Sequence, residues 1–312
     1  MPVGYSQQLV VMVPCLNEEN TLPAVLSSIP KKIKGIGEIK ILIIDDGSTD
    51  KTKEIATAFG ATVIKHITTK GLAHSFSQGL EKALSMGADI IVNTDGDNQY
   101  PQSEIPKLIQ PIIDGKADLV IADRQTDKIP HFSPIKKKLQ KFGSSLVRTL
   151  SNTEVTDAVS GFRAFSRNAA LNLNIFTDYT YTLETIIAAG KKKMKIVSVP
   201  VTVNPKTRES RLMKSMYSYL KISTSTLVRV FAIYEPLKTF GLLGVIISLP
   251  GIFFIARFIF FFLQGNGNGH TQSLIVGTLL TMVGFQIIVF GIIADLIGFN
   301  RKLLEQIKAK IK

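Results

Sequence analysis

Asp95 and Asp97 stand on either side of Gly96 in the stretch NTDGDNQYP, Asn93–Pro101, and Gln99 continues the alternation. Two carboxylates held that close repel, and a positive group between or beside them relieves the repulsion. A divalent cation with a phosphate on its far side would do so, because hard cations take oxygen ligands. Asp, Gly and Asn are also common turn residues, so the stretch taken alone fits a turn equally well. Its place in the chain has to separate the two readings.

The stretch follows the apolar run ADIIV, and a second acidic cluster, DDGSTD, follows the apolar run IKILII. Residues 1 to about 205 alternate between such runs (QLVVMV, IKILII, ATVIKH, ADIIVN, ADLVIA, KIVSVPVTV) and helical patterns. GLAHSFSQGLEKALSMG is one of these, with apolar positions recurring at three and four and an end at Gly87. Near-continuous apolar strands separated by amphipathic helices imply an α/β fold with a parallel sheet covered on both faces. In such folds ligands bind beyond the carboxyl ends of the strands, which is where both acidic clusters fall.

The chain has 312 residues, a formal charge of +13, one Cys and no Trp. The length suits about two domains. A single Cys15 excludes an intramolecular disulfide framework and fits a reducing compartment, with Cys15 itself a small buried hydrophobe after the first strand. The N-terminal stretch MPVGYSQQLVVMVP has no basic segment and too short an apolar run for a signal peptide, so the first domain is expected on the cytosolic side. From about Met213, MKSMYSYLKISTSTLVRVFAIY places apolar residues on one helical face and basic ones opposite, the pattern of a helix lying on a membrane. Phe240–Leu263 and Leu274–Ile293 are each long enough to cross a bilayer. The connector QGNGNGHTQS lacks Lys and Arg while both flanks are rich in them, which puts both ends of the hairpin in the cytosol. Arg257 and Asp295 are expected to snorkel to opposite interfaces. Pro250 is a candidate kink, and Gly241, Gly244, Gly277 and Gly284 are candidates for close helix packing. The expected division is 1–211, 212–236 for the interfacial helix, and 237–312 for a transmembrane hairpin with spans at about 240–263 and 273–297.

VPCLNEENTLPAVL after the first strand and IIDDGSTDKT after the second together resemble the opening of family-2 nucleotide-sugar glycosyltransferases, which have the Rossmann-like GT-A fold. DGD at the end of the fourth strand resembles their D-x-D signature. Later stretches, ADRQ, HFSPIKKKLQKFGSSLVRTL, TDAVSGFRAFSR and TRESRL, follow the order of the dolichyl- and undecaprenyl-phosphate sugar synthases. The resemblance covers nearly the whole chain. It implies that Pro14, Asn17, Glu18, Asp45, Asp46, Lys70 and Asp95 bind a GDP- or UDP-linked sugar. The carboxylates Asp45 and Asp46 suit base N–H and ribose hydroxyl donors, and Asp50 suits a helix cap instead. It further implies that Asp97 and Gln99 hold Mg2+ or Mn2+, and that Asp95, Asp97 and Arg124 act in catalysis. Arg124, Lys137, Lys141, Arg208, Ser210 and Arg211 take the positions that hold the acceptor phosphate. Lys137 stands where some relatives have Arg, and Lys141 where some have Ser. Asp157 and Glu184 are candidate acids or bases, or groups that orient an arginine.

The implied activity is inverting transfer of a sugar to a polyprenyl phosphate at the cytosolic membrane face. Alternatives are another lipid acceptor such as diacylglycerol, and a sugar-nucleotide-binding scaffold without catalysis. A processive polysaccharide synthase of the same fold needs a Q-x-x-R-W motif and a multi-helix channel, and this chain has no Trp. The expected partners are the nucleotide sugar, the lipid phosphate and the membrane, with room for a homo-oligomer. No nucleic-acid partner is expected, because the basic residues cluster beside the apolar spans and no recognition motif appears.

Overall fold

The computed structural model describes residues 6–125, 153–173, 181–205 and 234–311, with a few isolated positions between 145 and 232. The chain divides into two compact units, Met1–Leu212 and Met213–Lys312.

The first unit is built on a seven-stranded sheet of order β3-β2-β1-β4-β6-β5-β7 among the described residues. The strands are β1 (Gln7–Cys15), β2 (Ile36–Asp45), β3 (Thr62–Lys65), β4 (Ile90–Asn93), β5 (Leu119–Asp123), β6 (Arg163–Ser166) and β7 (Ile196–Pro200). Leu9 to Val13, Leu42 to Ile44 and Ile90 to Val92 are wholly buried, as strands covered on both faces require. The covering helices include α1 (Leu22–Ser28), α2 (Thr52–Ala58), α3 (Leu72–Ser85), α4 (Ile105–Ile113), α5 (Arg167–Asn172) and α6 (Tyr181–Lys191). All six apolar runs are strands, and α3 stops at Met86, with Gly87 at φ +90° just beyond it.

The sheet corrects the expectation of a parallel arrangement. β6 lies antiparallel between β4 and β5, pairing Asn93 with Arg163 and Ile121 with Arg163 on its two sides. Its four residues open with an arginine, so neither length nor apolarity marks them as an interior strand. Because β6 starts where β4 ends, the chain just before it, residues 153–162, returns to the edge that carries Asp95.

In the second unit α7 (Pro236–Leu263) and α8 (Thr271–Ile311) pack antiparallel. Both are long and apolar enough to cross a membrane, with mean hydropathy 2.3 and 2.2 over 18 residues within Pro236–Leu263 and Thr271–Asn300. Their large apolar side chains are mostly exposed, Phe253, Phe260, Phe285 and Phe290 among them. The glycines form the seam. A Cβ at Gly244 would stand 2.6 Å from the Gly284 carbonyl oxygen, and one at Gly251 2.8 Å from that of Gly277. Gly241, expected in the seam, has nothing within 4 Å, whereas Gly251 belongs to it. Pro250, the candidate kink, lies inside α7, which is helical on both sides of it. Arg257 is exposed and reaches across the hairpin near the connector, its Nη1 3.4 Å from Ser273 Oγ and its guanidinium over the Phe261 ring. The expected interfacial helix lies almost wholly outside the described residues.

Candidate active site

At the carboxyl edge of the sheet, Cys15 of β1 pairs with Asp45 of β2, and the Asp46 amide donates to the Cys15 carbonyl at 2.8 Å. The DDGSTD loop therefore grows from paired backbone. Its carboxylates then take up donors from the protein. Asp45 Oδ1 accepts the Ser48 amide at 2.7 Å, and Oδ2 faces Lys65 Nζ at 3.6 Å. Asp46 lies 2.6 Å from His66 Nδ1 and accepts the amides of Lys70 and Gly71 at 2.9 Å, fixing the chain that enters α3. Burial favours its neutral form, yet these amides and His66 together hold the Asp46 carboxyl below the ordinary aspartate range. Asp50 bridges the Glu19 amide and the start of α2, accepting from the Thr52 amide at 3.0 Å and from its hydroxyl. Asn17, at φ +53°, donates its amide to Ser48 Oγ and accepts the Thr49 amide.

The DGD turn packs against this loop. A Cβ on Gly96 would lie 3.0 Å from Cys15 Sγ and 3.2 Å from Glu18 Cγ, so the middle position admits no side chain without displacement. Thr21 Oγ1 joins the two stretches, lying 2.8 Å from both the Gly96 carbonyl and Glu18 Oε2, either of which accepts its one proton. Asp97 Oδ1 accepts the Gln99 amide at 3.1 Å, with Asn98 between them at φ +59°. Asn204, just beyond β7, holds the far side of the turn through the carbonyls of Gln99 and Asn98, both at 2.9 Å.

Arg124, just past β5, is gripped by Asp157 in a fork, Nε to Oδ2 at 2.6 Å and Nη2 to Oδ1 at 2.9 Å. Burial disfavours its charge, but Tyr100, Asp157 and Asp95 more than reverse this and raise it above the ordinary guanidinium range. Two carboxylates near one partly buried guanidinium keep it cationic. The pairing gives Asp157 the arginine-orienting place among the two alternatives left by the sequence. Glu184 is buried on α6. Lys70 contributes its backbone to Asp46, and its side chain is exposed. Lys137, Lys141, Arg208, Ser210 and Arg211 lie outside the described residues.

Sequence reasoning passed over Arg163. It is wholly buried and donates to the carbonyls of Ala158 and Ser160 at 2.9 and 2.7 Å, to that of Thr182 at 2.7 Å, and to Thr185 Oγ1. Desolvation lowers its pKa to about 10. It also passed over Asn93 and Tyr181, both buried beside Asp95. The readable signal was the length of SGFRAFS, an apolar stretch with a single charge and a glycine.

Asp95, Asp97 and Gln99 make an all-oxygen donor set that fits Mg2+ or Mn2+. Among the described residues no three His, Cys, Asp or Glu side chains assemble into a metal cluster. A cation here would complete its shell from a bound diphosphate and water, as hard cations at phosphate sites do.

A mixed α/β sheet with both acidic clusters at one edge defines the GT-A class. The fold is that of glucosyl-3-phosphoglycerate synthase from Mycobacterium tuberculosis in complex with Mn2+, UDP-glucose and phosphoglyceric acid. The two share a TM-score of 0.56 and 22% identity over 72% of this chain and 79% of that one. Residues 10–173 match glycosyl transferase family 2, and the chain belongs to that family. One relative is the UDP-N-acetylglucosamine–dolichyl-phosphate N-acetylglucosaminyltransferase of Methanococcus voltae, 31% identical over 62% of this chain and 84% of the relative. Another is the glycosyltransferase AglJ of Haloferax volcanii, 25% identical over 96% of each chain.

Proposed function

We propose that the chain transfers a sugar from a GDP- or UDP-linked donor to a polyprenyl phosphate, dolichyl or undecaprenyl, at the cytosolic face of a membrane. The carrying observation is the union of a family-2 domain with a hairpin of two exposed apolar helices on one chain. Such a hairpin would keep the domain beside a lipid acceptor, and the M. voltae relative is named for a dolichyl-phosphate acceptor.

In this reading Pro14, Asn17, Glu18 and Asp45 wall the nucleotide, and Asp46 acts on it through the loop it ties to α3. Asp97 and Gln99 would hold Mg2+ or Mn2+, which when bound would neutralise charge on the nucleoside diphosphate. Asp95 would face the ribose or the cation through water. A phosphate monoester is anionic at neutral pH, so its oxygen can attack the anomeric carbon without a strong general base. The new C–O bond forms as the bond to the diphosphate breaks, with inversion at that carbon. Glu184 accordingly has a structural role. Arg124, kept cationic by Asp157 and Asp95, offers charge to the phosphates between which the sugar moves, and holding the groups in line does the remaining work. Lys137, Lys141, Arg208, Ser210 and Arg211 are assigned to the lipid phosphate on the resemblance alone.

The test is purified full-length protein with dolichyl or undecaprenyl phosphate, Mn2+ or Mg2+, and a panel of nucleotide sugars, read by mass spectrometry of the lipid. A glycosylated lipid phosphate is expected with one donor and not in excess EDTA. Glycosylated diacylglycerol, or turnover in EDTA, would overturn the acceptor or the metal assignment respectively.

A further inference from the structure

Asp95 packs against a glycine of a distant segment, Gly161 just before β6. A Cβ built on Gly161 would lie 3.0 Å from each of three oxygens, Asp95 Oδ1, Asp95 Oδ2 and Tyr181 Oη. The carboxylate and the phenol thus converge on one bare Cα, at a distance tighter than ordinary side-chain contact. Beneath them Asn93 Nδ2 donates to the Gly161 carbonyl at 2.8 Å and to Tyr181 Oη at 2.9 Å. Tyr181 Oη donates in turn to the Gly161 carbonyl at 3.4 Å. Asn93 and Tyr181 are both buried. The Tyr181 ring stacks on Phe76, centroids 3.9 Å apart and planes 7° from parallel. The buried Arg163 fixes the backbone on both sides, at Ala158 and Ser160 before Gly161 and at Thr182 after Tyr181.

We infer that Gly161, Tyr181 and Asn93 are positioning residues for Asp95, setting the place from which its carboxylate meets the cation-bound nucleotide. The inference rests on the glycosyltransferase reading above and extends it to residues remote in sequence. A carboxylate that could relax toward an added methyl group, or lose the phenol beside it, would meet the same ligand from a shifted position. Residues that orient the groups around a metal commonly alter its affinity 10- to 100-fold when replaced. Burial keeps Tyr181 a neutral phenol far above its ordinary titration range, so the donor is present at all working pH values.

The experiment measures Mn2+ binding to full-length protein by electron paramagnetic resonance, with UDP and then GDP present, beside thermal melting. Tyr181→Phe keeps the stack on Phe76 and removes one oxygen. It is expected to weaken Mn2+ binding about 10-fold with little change in melting temperature. Gly161→Ala is expected to weaken it at least as much. Wild-type Mn2+ affinity in Tyr181→Phe, whatever its melting temperature, would overturn the inference and leave these residues as core packing. Absence of nucleotide-dependent Mn2+ binding in the wild-type protein would instead sink the functional reading, and the inference with it.

Discussion

The two acidic clusters look alike in sequence, each a run of carboxylates where a buried strand ends, yet the protein treats them differently. In DDGSTD the donors come from the chain. Asp45 has Ser48 and Lys65, Asp46 has His66, Lys70 and Gly71, and Asp50 has Glu19 and Thr52. In DGD Asp97 accepts the Gln99 amide, and close packing surrounds the turn. Gly96 is pressed between Cys15 and Glu18, and Asp95 is set against Gly161. The first cluster ties its own loop to the starts of α2 and α3, whereas close packing shapes the second, the one proposed to face the ligand. The count of acids in a motif therefore does not reveal how the fold holds each one.

Substitutions should separate the two clusters, and the largest effect belongs to the second. Asp97→Asn is expected to lower sugar transfer about 100- to 1,000-fold, the scale seen when a charge-stabilising group is removed from an active site, with the melting temperature unchanged. A variant that melts early, with activity falling only in proportion, would erase the distinction. Asp46→Asn should do the reverse. Its new NH2 group would face backbone N–H groups or His66, and about 1–3 kcal/mol of stability should be lost, measured by denaturant unfolding. The pH dependence has a definite sign. The folded Asp46 carboxyl titrates below the unfolded value of about 4, so its contribution is full above that value and is lost as pH falls through the folded one. Asp46→Asn should flatten that acid limb. The smallest effect is expected at Asp50, where Asp50→Ala should cost about 0.5–2 kcal/mol, like loss of a helix cap, with donor affinity by calorimetry unchanged.

Much of this was written in the sequence. Six apolar runs announced six strands because a strand buried on both faces leaves no room for polar residues. Asp157 was a candidate to orient an arginine, but which arginine was not legible, since 33 positions separate it from Arg124. β6 escaped because its first residue is charged. An arginine normally reads as surface, and Arg163 is buried because carbonyl oxygens brought together by the fold solvate it. The floor under Asp95 escaped for the same reason: Asn93, Gly161 and Tyr181 meet only across β4, β6 and α6. In the hairpin, the glycine spacing of seven selected Gly244 and Gly251 as seam positions and left Gly241 outside it.

That seam also constrains how the hairpin can change over time. Gly244 meets Gly284 and Gly251 meets Gly277, so each step along α7 is matched by an equal step back along α8. Lengthening the connector leaves every such pair intact. Deleting one residue within either helix turns all that follows by about 100° and brings side chains to face the backbone where only hydrogen now fits. Loop length is thus a dimension free to drift among descendants of this chain, while the two helices can gain or lose residues inside the seam only together.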